Sequence, residues 1–83
     1  MKARVLIDVM LKDGILDPQG KTVEENLPSM GFGGVSSVRI GKHIELEIEA
    51  ASRDAAAAQV EEMSRRLLSN PVIEGFSYRF EGE

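Results

Sequence analysis

The run Asp13–Thr22, DGILDPQGKT, ends in Gly20-Lys21-Thr22, the closing triplet of a phosphate-binding loop. Such a loop reads G-x-x-x-x-G-K-[ST] and cradles phosphate oxygens with backbone N–H groups and one lysine. The spacing fails here. The first glycine belongs at position 15, which is Ile15, and Gly14 stands one residue too early. Asp17 would set a carboxylate where phosphate must lie, and Pro18 has no N–H to give. The same residues make a good helix start. The Asp17 carboxylate can accept from the free N–H groups of a first turn. Pro18 then falls at the first helical position, where a missing N–H costs nothing.

Other residue groupings carry possible chemistry, and each has a plainer explanation. His43 is the one histidine, so no second imidazole is available to share a metal ion. Glu45, Glu47 and Glu49 alternate along one strand and form a carboxylate row with about 7 Å between neighbours. Such a row can hold a cation or do acid–base work, but Arg4, Arg39 and Arg79 are available on other strands to pair with it. None of the serines lies in a G-x-S-x-G turn. Phe76, Tyr78 and Phe80 could stack bases, yet RNA-recognition modules carry such rings on their central strands. Here the acids of Glu45–Glu49 would repel phosphate, so packing is the better use for these rings. No catalytic constellation emerges.

The elements that must position these residues follow from periodicity. Ala3–Leu11 alternates, with Val5, Ile7, Val9 and Leu11 on one face and Arg4, Leu6, Asp8 and Met10 on the other. A helix runs from Pro18 toward Met30 with Val23, Leu27 and Met30 as its apolar stripe, and Pro28 predicts a kink or an early end near Asn26. After the flexible Gly31–Gly34, two strands are expected at Val35–Ile40 and Ile44–Ala50, turned by Gly41-Lys42. Val38 and Ile40 should then share the core with Ile44, Leu46 and Ile48, leaving Arg39 on the opposite face. Ser52 caps a second helix whose inner stripe is Ala56, Val60, Met63 and Leu67, and Asn70-Pro71 stops it. A last strand carries Phe76, Tyr78 and Phe80. The order strand, helix, strand, strand, helix, strand predicts an α+β, ferredoxin-like antiparallel sheet with both helices on one face. The mixed face holding Leu6 and Met10, and the aromatic last strand, are the candidates for self-association through the sheet or by exchange of that strand.

Composition narrows the partners. Eighty-three residues make one domain near the lower size limit for a self-sufficient core, so help from a second copy or a partner is expected. The net charge of −4 argues against nucleic acid. No apolar run reaches the ~18 residues of a membrane span, and Asp8 interrupts the N-terminal apolar run, so neither a membrane partner nor a signal peptide is expected. The absence of cysteine excludes disulfides, thiolate metal sites and thiol nucleophiles, and fits a cytoplasmic location.

Three stretches taken together carry a resemblance. VLIDVMLKDGILDPQGKTVEENL, MGFGGVSSVRIGKHIELEIE and LLSNPVIEGFSYRFE contain the runs Leu16–Lys21, Val38–Lys42 and Asn70–Glu74. In this order they resemble the PurS family, small subunits of phosphoribosylformylglycinamidine synthase, across nearly the whole chain as a single domain, 1–83. Pro28 departs from the expected pattern and touches only the straightness of the first helix. The resemblance implies a non-catalytic adaptor in de novo purine synthesis. The complex converts formylglycinamide ribonucleotide, glutamine and ATP to formylglycinamidine ribonucleotide, glutamate, ADP and phosphate. It further implies a dimer that bridges a PurL-like synthetase, which uses ATP and magnesium, and a PurQ-like glutaminase, with no cofactor on this chain. The loop Lys12–Lys21, with Asp17, and the turn Arg39, Gly41, Lys42 and His43 are the candidate contacts to those partners. A different class, a stand-alone ferredoxin-like domain binding a small effector, would be distinguished by calorimetry with amino acids and nucleotides.

Overall fold

A computed structural model describes residues 1–83. The elements are β1 (Lys2–Leu11), α1 (Pro18–Asn26), a 3-10 turn (Pro28–Met30), β2 (Lys42–Glu49), α2 (Arg53–Met63), a π turn (Ser64–Leu68) and β3 (Glu74–Phe80). β1 is central. It pairs antiparallel with β2, Val5 opposite Leu46, and antiparallel with β3, Val5 opposite Phe80. The sheet order is β2-β1-β3. This is the ferredoxin-like arrangement of an antiparallel sheet and two helices, with the outer position beside β2 unfilled by this chain.

The core forms where the alternation of β1 meets the stripe of α2. Val5, Ile7 and Val9 are fully buried with Ala56 and Val60, and Ile48 and Phe80 close the cluster from either side. Ser52 caps α2 as expected, accepting from the Ala55 N–H at 3.1 Å, with Asp54 in the first turn. The inner stripe differs from expectation at its end. The π turn inserts an extra residue per turn, so Leu67 swings out to 82% exposure and Leu68 packs against the core in its place. Ser69 closes the turn, its N–H and hydroxyl both donating to the Ser64 carbonyl (2.9 and 2.8 Å).

The larger departure is at Val35–Ile40, which is not a strand. Ser37 adopts a left-handed φ of 58°, which breaks a regular extended run. The backbone N–H groups expected to enter a ladder go to side chains of α1. Val38 donates to Glu24 (2.8 Å) and Ile40 to Asp17 (2.8 Å). Val38 and Ile40 therefore stay outside the core cluster. Gly41-Lys42 makes no hairpin turn. Gly41 runs on beside β1, so close to the Val9 carbonyl and the Met10 thioether that a β-carbon would overlap both. Nor do Val23, Leu27 or Met30 join the core, and Val23 and Met30 are exposed. α1 and the segment leading into β2 form an arm at the end of the sheet. Pro28 ends α1 at Asn26, as its missing N–H predicts.

Asp17 is the fastener of that arm. Its carboxylate accepts from the Gly20 N–H (2.9 Å) as the α1 cap and from the Ile40 N–H, and those two bonds in that order hold its pKa below the usual 3.8. Gly20 is buried, and a β-carbon there would lie 2.5 Å from Asp17 Oδ2 and 2.6 Å from the Val38 carbonyl. A depressed carboxylate stabilises the fold above its unfolded pKa and ceases to do so as pH falls through the folded one. Asp17→Ala should therefore speed amide exchange at Gly20 and Ile40 while leaving the β1–β3 ladder protected. Equal loss at both places would show that the cap does not hold the arm.

Candidate partner interface

Most of the proposed contact residues converge on one end of the sheet, where β1 leaves and β2 enters. Lys12 follows β1, its N–H donating to the Ile73 carbonyl (2.8 Å) and its Nζ to the Pro71 carbonyl (2.7 Å). Lys42, at the start of β2 opposite Val9, donates from Nζ to the Leu68 carbonyl (3.1 Å) and lies 3.9 Å from Glu74. Arg39 donates to the Leu11 carbonyl and stands 3.9 Å from Asp13. Asp17 accepts from the Ile40 N–H, and Gly41 packs against Val9 and Met10 of β1. Lys12 and Lys42 thus tie the α2–β3 connection to the sheet, although their side chains stay largely open to solvent. Lys21 stands apart on the exposed face of α1, 3.7 Å from Glu25.

His43 belongs to a different surface. It lies on the helix-free face of the sheet, between two acids. Nδ1 is 2.7 Å from Asp8 Oδ1, and Nε2 is 3.0 Å from Glu45 Oε2. Glu45 in turn pairs with Arg4, which also reaches Glu81 at 3.3 Å. The expected carboxylate row is therefore partly neutralised across strands, with Lys2 3.5 Å from Glu47 as well. Arg4 and His43 hold Glu45 below the usual carboxylate range, Arg4 being the larger influence. No group of three or more His, Asp or Glu is placed to hold a metal ion.

A neutral imidazole has one N–H, so His43 can donate to both carboxylates only when protonated. Asp8 first and Glu45 second accordingly raise its pKa above 6.5. The sign follows. The two contacts stabilise the fold fully below the unfolded pKa and are lost as pH rises through the higher folded one. An NMR titration of the imidazole should give a midpoint above 6.5, and Asp8→Asn should bring it down. A midpoint at or below 6.5 would mean that the two contacts are not formed in solution.

The residues considered for self-association divide between the two faces. Leu6 is on the open face but only 8% exposed, flanked by Glu45 and Arg79 on the neighbouring strands, with Met10 half-buried at the sheet end. Phe76 and Tyr78 are half-buried against the core and Phe80 is inside it. Periodicity gave no sign of three polar features. Tyr78 donates its hydroxyl to Glu61 (3.1 Å), and burial, then Glu61, pushes that hydroxyl's pKa up. Arg53 makes a two-pronged pair with Glu83 (2.7–3.1 Å) and covers the Phe80 ring. Asp8 joins His43 across strands, a pairing that only the β1–β2 register creates.

Comparison with known proteins bears directly on this arrangement. Residues 4–82 match the family described as PurS, phosphoribosylformylglycinamidine (FGAM) synthase. The chain is 46% identical over 78 residues to the phosphoribosylformylglycinamidine synthase subunit PurS of Bacillus subtilis, covering 94% of this chain and 92% of that one. It is 38% identical over 80 residues to the same subunit of Methanocaldococcus jannaschii, covering 96% and 94%. Among solved structures, PurS of B. subtilis in a C2 crystal form superposes with a TM-score of 0.85 at 46% identity, over 98% of this chain and 99% of that one. A chain of PurLQS from Thermotoga maritima superposes at 0.89 with 34% identity, over 96% and 98%.

Proposed function

The chain belongs to the PurS family of phosphoribosylformylglycinamidine synthase subunits, and from that we propose that it is the non-catalytic adaptor of that enzyme, bridging a PurL-like synthetase and a PurQ-like glutaminase. The observation that carries the reading is the near-complete superposition on a chain of the T. maritima PurLQS assembly. The enzyme is an amidoligase of purine biosynthesis, and this chain serves it as a single domain, 1–83, working as a homodimer or higher oligomer in the cytoplasm. The synthetase partner uses ATP and magnesium to activate the amide oxygen of formylglycinamide ribonucleotide. The glutaminase partner supplies ammonia from glutamine.

Ammonia released into bulk water is protonated and loses its nucleophilic lone pair. An adaptor that fixes two active sites against each other therefore acts by positioning and by exclusion of water. A pinned sheet end suits that work, because Lys12, Arg39 and Lys42 are held by the Pro71, Leu11 and Leu68 carbonyls and still offer charge outward. These residues, with Asp17, Lys21, Gly41 and His43, are the proposed contacts to the larger subunits. The test is reconstitution. With the chain left out, glutamine-dependent formation of formylglycinamidine ribonucleotide should fall at least tenfold, while turnover with added ammonia persists. Undiminished glutamine-dependent turnover would overturn the adaptor role. Lys21→Ala with Lys42→Ala should weaken co-purification of the three subunits. Unchanged assembly would move the interface elsewhere.

A further inference from the structure

We propose that the π turn Ser64–Leu68 is a two-position register switch. The end of α2 seats Leu68 in the core in this structure and Leu67 in the alternative, and the change releases Lys42 from the Leu68 carbonyl. Two leucines in succession make the exchange possible. Leu67 stands seven residues after Val60, so an uninterrupted α-helix at about 100° per residue would bring it within about 20° of that buried side chain. The π turn sets the next residue there instead. Leu67 is 82% exposed, and Leu68 is half-buried against the core. A side chain of the same size and chemistry is thus available to the core in either register.

The observed register has a flaw and two holds. Ser64 is fully buried, and its hydroxyl oxygen has no hydrogen-bond partner, which buried polar groups normally have. π turns are rare and concentrate at functional sites. The first hold is Ser69, whose N–H and hydroxyl both donate to the Ser64 carbonyl. The second is Lys42, whose Nζ donates to the Leu68 carbonyl from across the fold.

The chain beyond the turn is anchored separately. The Asn70 carbonyl accepts from the Ile73 and Glu74 N–H groups (3.1 and 2.7 Å), and the Glu74 carboxylate accepts from the Asn70 N–H (2.7 Å). Lys12 takes the Pro71 and Ile73 carbonyls. Slack from a change of register therefore falls on Ser69, which leaves the turn in an extended conformation, φ −130° and ψ 161°. A carboxylate of a larger subunit that drew off the Lys42 ammonium would favour the Leu67 register and reshape the end of α2. That link to assembly rests on the adaptor role proposed above, whereas the two registers belong to the isolated chain.

A double-mutant cycle on the isolated chain, read as urea midpoints at one protein concentration, tests the switch. Leu67→Ala and Leu68→Ala should each lower the midpoint modestly, because the other leucine takes the seat. The double variant has no leucine to seat, so it should fall by at least about twice the sum of the single drops, or lose its transition. A double variant that loses no more than the sum would overturn the switch, and so would a Leu68→Ala chain with no transition of its own. Ser69→Ala and Lys42→Ala each remove one hold. In either background Leu67→Ala should become more costly and Leu68→Ala less so, a crossed response that general loosening does not give. No crossing with Ser69→Ala would also overturn the switch, and no crossing with Lys42→Ala alone would overturn its link to the sheet end. No partner subunit is needed, so a failed reconstitution would count against the adaptor role and leave the two registers standing.

Discussion

Phe80→Ala should leave the chain without a cooperative unfolding transition. Phe80 ends β3 at 2% exposure, opposite Val5, and is the largest side chain of a core that counts only seven residues. Its ring also meets Tyr78 edge-on, with centroids 6.2 Å apart, and the Arg53 guanidinium lies 4.6 Å from its centre. Removing a buried phenylalanine costs about 3–5 kcal/mol. A chain of this size has about 4–12 kcal/mol in all, and an elongated body with so few buried residues stands at the low end of that range. The loss therefore takes most or all of what there is. Phe80→Leu, which keeps much of the volume, should cost under about 1.5 kcal/mol and keep a sigmoidal melt. Thermal unfolding followed by circular dichroism distinguishes them. A Phe80→Ala melt within a few degrees of the parent would place the weight of the core elsewhere.

That core was legible in the sequence because its signals are local. The alternation of Val5, Ile7 and Val9 sets the face of β1. The Ser52 cap and the Asp17-Pro18 start place both helix N-termini, and Pro28 stops α1. What local signals could not carry was competition between partners. Val35–Ile40 has strand-like residues, but side chains of α1 claim its N–H groups, a contact between Glu24 and Val38 fourteen residues away. Leu67 obeys helical spacing, and only the π turn takes it off the stripe. The candidate interface was legible as a set of charges and not as a geometry. Lys12 and Lys42 stood only as candidate contacts, and the structure shows them fastening the Pro71 and Leu68 carbonyls of the α2–β3 connection. The Asp8–His43 pair depends on strand register, which composition does not encode.

So small a chain can serve a large complex because its surface is ordered in advance. Its charged groups are mostly engaged with their own backbone or with one another, so they enter an interface already oriented. Pre-ordering lowers the entropic cost of docking long side chains. A scaffold of this kind is sensitive to backbone displacement more than to loss of any one charge.

Gly41→Ala tests that sensitivity at its sharpest point. A β-carbon on Gly41 would overlap both Met10 Sδ and the Val9 carbonyl oxygen, well inside the 3.0 Å that real β-carbons respect. The thioether is flexible and can swing aside. The carbonyl belongs to the central strand and cannot, so β1 or the segment entering β2 must shift. Overpacking of this kind costs about 1–3 kcal/mol. The displaced groups would include Arg39 and Lys42, so glutamine-dependent activity should fall along with stability. Gly75 provides the matched control. It faces Met10 from the other side in β3 and has nothing within 4 Å of a built β-carbon, so Gly75→Ala should stay within about 0.5 kcal/mol of the parent. Adding Met10→Ala to Gly41→Ala removes only the yielding neighbour and should restore little, because the Val9 carbonyl remains. If the double variant recovered parental stability, or the two glycine variants melted together, the close approach of Gly41 to β1 would not be what holds the arm in line with the sheet.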